Sequence, residues 1–345
     1  MSAQRARRMR IVHVSNFTMK WNGESFFTIP YKLNNGLTRL GHHVFSVCDR
    51  DIADGYFLGI RSVGHAHANK KVQQICEEVR PDLLLLGHCT LIDPSTVASI
   101  RQIVPGVRIA HWNCDPLFNT ANMRRLRFLA PIVDATFVTT AGPLMQSIAE
   151  AGGRVTFMPN PVDKSIETVR AFENPAADID LLFVGSPIKE RAALCETIRA
   201  EIPDLRFETR GFAGTPAVFG ARLFDLLDRS KMGLSLSRRD DIHLYASDRM
   251  SIMMGCGLPT FVDRRTGFDS IFREDELVLY DGVGGLIANI RMMKDDDARR
   301  REVARRGWQR IHEIFSETRV AEWILGVTFR ALSARPPEWP ATIYG

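Results

Sequence analysis

Residues 238–262 read RRDDIHLYASDRMSIMMGCGLPTFV. Ser247 and Asp248 suit the start of a helix and Gly257-Leu258-Pro259 stops it, so the stretch predicts a loop, a helix over 247–255, a Gly-containing turn and a short buried strand. A helix starting there presents main-chain N–H groups that have no intrahelical acceptor. Arg249 lies in its first turn, and the helix dipole adds about half a positive charge. Such an end attracts anions, a phosphate above all, although most helix starts in α/β domains meet only water.

Upstream of this stretch the chain alternates apolar runs with helical segments, which is the pattern of α/β units. Strands are expected at 180–185 (DIDLLFVG without its first two residues), 206–210 and 232–237, with helices at 189–200 and 216–228 between them. Further upstream, strands are expected at 10–15 (RIVHVS), 43–48 (HVFSVC), 82–87 (DLLLLG), 107–112 (VRIAHW), 135–139 and 155–158, with a helix at 26–40 ending in Gly41. Runs this uniformly apolar suit parallel sheets covered on both faces, joined by right-handed crossovers. Downstream, helical patterns fill 283–293, 295–315 and 317–334.

Residues 160–180, NPVDKSIETVRAFENPAADID, interrupt the alternation with two prolines, following Pro159, and no sustained apolar period. The predicted organisation is therefore a first α/β domain over 1–160, a linker over 161–179, a second α/β domain over 180–316 and a returning helical segment over 317–345. No internal sequence repeat is visible.

Composition places the chain among globular proteins: 345 residues, 45% hydrophobic and 25% charged. No apolar run approaches the roughly 18 residues needed to cross a bilayer, and the basic N-terminal MSAQRARRMR precedes no hydrophobic segment, so a cytoplasmic protein is expected. The six cysteines are scattered without a C-x-x-C or Cys/His spacing, which predicts reduced, mostly buried thiols and no metal site. A net charge of +5 favours anionic partners, yet no Lys/Arg block interleaves with aromatics, so nucleic acid is not expected. Arg299, Arg300, Arg301, Arg305 and Arg306 would suit peripheral contact with the inner face of an anionic membrane; with Asp295–Asp297 beside them they equally suit a solvated face.

Chemistry is expected at the strand ends, where open α/β sheets bind ligands. Gly185 and Ser186 form a small-residue turn after the strand at 180–185, followed by Lys189 and Arg191; with Arg249 and the helix start at Ser247 these would surround a diphosphate from two sides. No G-x-G-x-x-G follows the first strand and no P-loop is present; Asp281-Gly-Val-Gly-Gly285 lacks the P-loop lysine and reads as a turn. In the first domain Asp115, His88 and Glu24, in that order, are the candidates for a general base toward a hydroxyl. Asp49 and Asp51 belong to the same set of strand-end groups, or to an internal ion pair with Arg50.

The pattern Tyr245-Ala-Ser247-Asp248-Arg249, Gly255-Cys-Gly257-Leu-Pro259, Ile271-Phe272, Leu279-Tyr-Asp281 and Ala304-Arg-Arg-Gly307-x-x-Arg310-Ile311-x3-Phe315-Ser316 resembles the C-terminal domain of glycosyltransferases, most closely the spore-maturation CgeB-like group. The likeness is good over residues 180–325. In the first domain it rests on general form and on the segment Lys32-Leu-Asn-Asn-Gly36-Leu-x-Arg39-Leu-Gly41-His42-x-Val44.

The resemblance implies the GT-B fold: two Rossmann-like doubly wound domains facing across a cleft, the first for the acceptor, the second for a nucleotide-sugar, with a C-terminal helix crossing back. It implies a glycosyltransferase that needs no metal or other cofactor. Such an enzyme moves a sugar from a UDP- or GDP-linked donor to a hydroxyl of a polysaccharide, a lipid-linked glycan or a protein. Gly185, Ser186, Lys189, Arg191, Tyr245, Ser247, Asp248 and Arg249 then become the donor-binding set. A sugar-nucleotide epimerase or hydrolase, or a silent glycan-binding protein, are the alternatives on the same scaffold. One departure stands out: where many relatives carry a Glu-x7-Glu motif whose second Glu holds the ribose, this chain has Leu244 and Ile252. Tyr245, Asp248 and Asp241 are the substitutes at hand.

Overall fold

The computed structural model describes residues 8–55, 61–186, 188–212, 214–332 and 337–345. The basic residues before Arg8, Pro187 in the turn after the strand at 180–185, and Ala334, the expected end of the last helix, lie outside them. The chain divides into two compact units: residues 1–159 together with 317–345, and residues 160–316.

The first unit runs β1 (Arg10–Ser15), α1 (Ile29–Arg39), β2 (His43–Cys48), α2 (Asp49–Asp54), α3 (Arg61–Val79), β3 (Leu83–Leu86), α4 (Pro94–Ile103), β4 (Arg108–Asn113), α5 (Thr120–Leu129), β5 (Ala135–Val138), α6 (Gln146–Ala149) and β6 (Val155–Phe157). Its strands pair in the order β6-β5-β4-β3-β1-β2, all parallel. The four leucines of β3 are buried because the strand lies mid-sheet, with helices over the sheet on both sides. α1 begins at Ile29 rather than Phe26: the preceding residues form turns closed by Phe26 N–H to Gly23 O and Thr28 N–H to Ser25 O. Pro30 then opens the helix, where a missing N–H costs nothing.

The second unit runs β7 (Ile179–Val184), α7 (Lys189–Glu201), β8 (Phe207–Arg210), α8 (Gly220–Asp228), β9 (Ser230–Leu234), α9 (Asp248–Gly255), β10 (Thr260–Asp263), β11 (Val278–Tyr280), α10 (Gly282–Asp295) and α11 (Asp297–Ile314). Its five parallel strands lie in the order β11-β10-β9-β7-β8. Phe183, Phe212, Met232, Leu234, Phe261, Leu286 and Ile290 are among the residues of its core. The Gly-rich run after Tyr280 is the first turn of α10 rather than a free turn, with Asp281 preceding it and Gly282 at φ +63°.

One segment differs from expectation. Residues 160–178 are built into the second unit: Val162 N–H donates to Phe315 O, Ala171 N–H donates to Cys256 O, and Val162, Asp163 and Glu167 are buried. The tail rejoins the first unit, α12 (Glu317–Thr328) packing on α1 and β12 (Ile343–Tyr344) adding an antiparallel edge to β6. Among the described residues no helix is long and apolar enough to cross a membrane.

Candidate functional site

Strand order locates the place where ligands bind. In the second unit the chain leaves β7 for β8 on one side and returns to β9 on the other, so the order reverses between β7 and β9. The crevice beyond the carboxyl ends of two such strands is open to a ligand. The residues there are Gly185 and Ser186 after β7 and Leu236 after β9.

Two guanidinium groups fill this position. Arg249, second residue of α9, donates from Nε to Val184 O and from Nη1 to Leu236 O (3.0 Å). Arg191, third residue of α7, donates from Nη2 to the same Leu236 O (2.7 Å) and from Nη1 to Ser186 O (3.4 Å). Both lie over the Phe183 ring, Arg249 at 4.8 Å and Arg191 at 5.9 Å from its centroid. Neither forms an ion pair among the described residues, and the buried Nε of Arg191 has no partner.

Burial lowers the pKa of Arg249 to about 10, with Arg191 adding to the effect; burial lowers that of Arg191 too. Both stay charged at neutral pH, so two like charges share one carbonyl without a direct salt bridge, Asp240 acting on Arg191 and Asp248 on Arg249 only at longer range. Gly185 makes the arrangement possible, since a Cβ there would stand 2.9 Å from Arg249 Nη2 and from Phe183 Cζ.

The other expected donor residues fall around this pair. Ser247 caps α9, its Oγ accepting from Arg249 N–H at 3.4 Å, and the hydroxyl donates to Asp248 Oδ1 at 3.0 Å. Lys189 is exposed at the start of α7. Tyr245 is buried and close enough for electrostatic interaction with both guanidiniums. Leu244, buried at φ +51°, turns the chain into the loop before α9, and Ile252 is buried in that helix. Neither offers a polar atom to a ribose.

One residue escaped the sequence reading. Asp240 lies inside the loop before α9, its Oδ2 3.4 Å from Arg265 Nη2, while Arg265 holds the neighbouring Asp263 through Nε (3.0 Å) and Nη2 (2.8 Å). Burial, with Asp263 adding, pushes the Asp240 pKa up to about 6. Asp241 instead turns to Arg239, at 2.5 and 2.9 Å, on the exposed side of the loop. Adjacent aspartates in a loop carry no sequence signal for which one turns inward.

In the first unit the order reverses between β1 and β3. His88 follows β3, its main-chain N–H donating to Ser15 Oγ at the end of β1 (3.2 Å). Cys114 and Asp115 follow β4, and Asp115 Oδ2 lies 3.7 Å from His88 Nδ1. One ligand atom each from His88, Cys114 and Asp115 lies within 4.8 Å of the others, so this group could hold a metal ion. Glu24 is not part of that group; it sits in the turn after Trp21.

Asp49 is fully buried, Oδ2 accepting from Leu91 N–H (3.0 Å) and Oδ1 without a partner. Asp51 accepts from Thr18 Oγ1 (2.6 Å) and Met19 N–H (2.9 Å), tying down the loop after β1. His13 is held neutral in the core, its pKa lowered to about 4 by burial, between Asn34 Oδ1 (2.6 Å) and the Trp112 indole N–H (3.0 Å).

The basic helix is largely self-satisfied. Arg300 and Arg301 pair with Asp297, Arg305 and Arg306 with Glu302, and Arg306 also with Asp275. None of the six cysteines is in a disulfide, and Cys76, Cys89, Cys195 and Cys256 are buried.

Residues 188–325, which carry both guanidinium groups and the capped start of α9, match the family model described as glycosyl transferase-like. The glycosyl transferase-like segment sits in a chain whose whole fold is of the GT-B type. Three solved structures align along nearly its full length. Sucrose-phosphate synthase from Thermosynechococcus elongatus is 13% identical, with a TM-score of 0.60 over 94% of this chain and 98% of that one. AviGT4, a glycosyltransferase involved in avilamycin A biosynthesis, is 16% identical, with a TM-score of 0.60 over 95% and 99%. HepE of Anabaena, in complex with UDP and glucose, is 13% identical, with a TM-score of 0.59 over 94% and 100%. No curated protein matches the chain.

Proposed function

We propose that this chain transfers a sugar from a nucleoside diphosphate sugar, with UDP as the carrier, to a hydroxyl of a polysaccharide, a lipid-linked glycan or a protein. The observation that carries the reading is the pair Arg191 and Arg249 at the strand-order reversal of the second unit, two cations that share the Leu236 carbonyl and form no salt bridge among the described residues. A diphosphate matches both cations. When the bond between the sugar's anomeric carbon and the diphosphate oxygen breaks, the electron pair stays on the diphosphate. Arg191, Arg249, Lys189 and the first amides of α9 stabilise that charge without reorganising. UDP is favoured by the presence of UDP in the HepE structure, which has the same fold.

Asp240 is the carboxylate we assign to the donor's ribose hydroxyls, in place of a glutamate at Leu244 or Ile252. On the acceptor side His88 and Asp115, 3.7 Å apart, are the groups proposed to take the acceptor's proton. A silent glycan-binding protein would have no use for two like charges held together at a cost, so the cation pair favours the enzyme.

The test is a thermal-shift and calorimetric screen against UDP, GDP, CMP, ADP and NAD. A nucleotide at 100 times its Kd stabilises the native state by about 2.7 kcal/mol, enough to read as a shift in melting temperature. UDP binding that Arg249→Ala abolishes supports the reading, and donor turnover that requires an added hydroxyl acceptor separates transfer from hydrolysis or epimerisation. Absence of binding by every nucleotide overturns it.

A further inference from the structure

We propose that His88, Cys114 and Asp115 form a binding site for one zinc ion at the carboxyl edge of the first unit's sheet. The three donors come from the ends of two paired parallel strands, β3 and β4, in the register Leu86 opposite His111. Neighbouring strands run about 4.8 Å apart, so residues just past their ends meet. Their ligand atoms lie within 4.8 Å of one another, and His88 Nδ1 stands 3.7 Å from Asp115 Oδ2. Two ligands at about 2.0–2.1 Å from a tetrahedral zinc are separated by roughly 3.3 Å, so small side-chain rotations close the set.

The main chain that carries these groups is already held. His88 N–H donates to Ser15 Oγ (3.2 Å), Asp115 N–H to Asn113 Oδ1 (3.1 Å), and Asn122 Nδ2 to the carbonyls of Asp115 (3.1 Å) and Pro116 (3.2 Å). All three side chains are half-buried, which leaves a fourth position for water, as in zinc sites with three protein ligands.

The donor types choose the metal. A thiolate with an imidazole and one carboxylate suits Zn²⁺, whereas Mg²⁺ and Ca²⁺ require oxygen ligands. Binding replaces the Cys114 thiol proton, which leaves to solvent. Around the site, Asp49 lies buried near His88 with one oxygen unpartnered, and the cation Arg125 is turned to the carbonyls of Cys89 (2.6 Å) and Thr90 (3.2 Å). His111, also near His88, is buried, with Nδ1 unpartnered. On the transferase reading the metal-free form is the active one, and a filled site, by holding His88 and Asp115 as ligands, inhibits transfer. The test below does not depend on that reading.

The full chain, without an affinity tag and stripped of metal by chelation, is titrated with Co²⁺ as a spectroscopic probe and then with Zn²⁺ as competitor. The expected result is one equivalent of Co²⁺ with a thiolate-to-cobalt charge-transfer band, displaced by Zn²⁺. Cys114→Ser removes the band, and His88→Ala weakens binding at least about 10-fold. Each variant is checked in its metal-free state for an unchanged melting temperature. If Cys114→Ser does not fold, Asp115→Asn carries the test by the same loss of affinity. Failure to take up a stoichiometric ion, or a charge-transfer band that persists in Cys114→Ser, overturns the proposal.

Discussion

The carboxyl of Asp240 lies half-buried near that of Asp263, with a pKa of about 6, while an unfolded aspartate titrates near 3.9. Between those values the native state binds the extra proton. Stability therefore falls as pH rises through about 4 to 6, and the loss is complete above that window. Asp240→Asn removes the penalty. It should raise stability by about 1–3 kcal/mol at pH 8, with the gain vanishing near pH 4, as read by urea denaturation at both values. On the transferase reading the same substitution also weakens UDP binding.

Asp180 shows the opposite sign. Burial pushes its pKa up, but hydrogen bonds from Arg206 (2.7 and 3.0 Å) and Lys231 (3.0 Å) outweigh it and hold the group well below the usual range. A depressed pKa contributes stability that is present above the unfolded value and lost as pH falls toward the folded one. Asp180→Asn should cost about 1–3 kcal/mol at pH 7 and progressively less on acidification below pH 4, in the same assay.

At the scale of elements, the packing of α1 on α12 depends on one missing side chain. A Cβ on Gly36 would collide with the main-chain carbonyl of Glu317, and it would come within 3.2 Å of Ala321 Cβ. Arg39 and Glu317 close the same contact with an ion pair at 2.5 Å. Since the obstacle is backbone at the start of α12, the helices must separate to admit a methyl group. Gly36→Ala should destabilise the first unit by about 1–3 kcal/mol, and Arg39→Ala, which takes the cation from a buried Glu317 carboxylate, by about as much. Denaturation followed by Trp fluorescence checks both, because Trp323 of α12 donates its indole N–H to Phe157 O in the same unit.

At the scale of the whole molecule, the chain leaves its first unit at Pro159 and returns to it at Glu317. The tail supplies an α1-packing helix and the edge strand β12, with Tyr344 opposite Val155 and Ile343 opposite Thr156. Truncation after Ser316 should accelerate amide exchange across β1–β6 while leaving β7–β11 protected, as hydrogen-exchange mass spectrometry would show. Equal loss of protection in both sheets would contradict this division.

The sequence by itself determined the parallel α/β class, most strands to within a residue or two, and the start of α9 at Ser247–Arg249. Apolar runs and helix caps act over a few neighbouring residues and are visible in one dimension. It also marked Lys189, Arg191 and Arg249 as cations at a sheet edge. It could not show that Arg191 and Arg249 share the Leu236 carbonyl, because that depends on strand order and on the space left at Gly185. It could not bring His88 together with Cys114 and Asp115, since Cys/His spacing along the chain reports only local ligands, whereas these three meet through the pairing of β3 with β4. Only the tertiary structure turned Asp240 inward and Asp241 outward, and returned the tail to the first unit: such choices are settled by what each group meets across the fold.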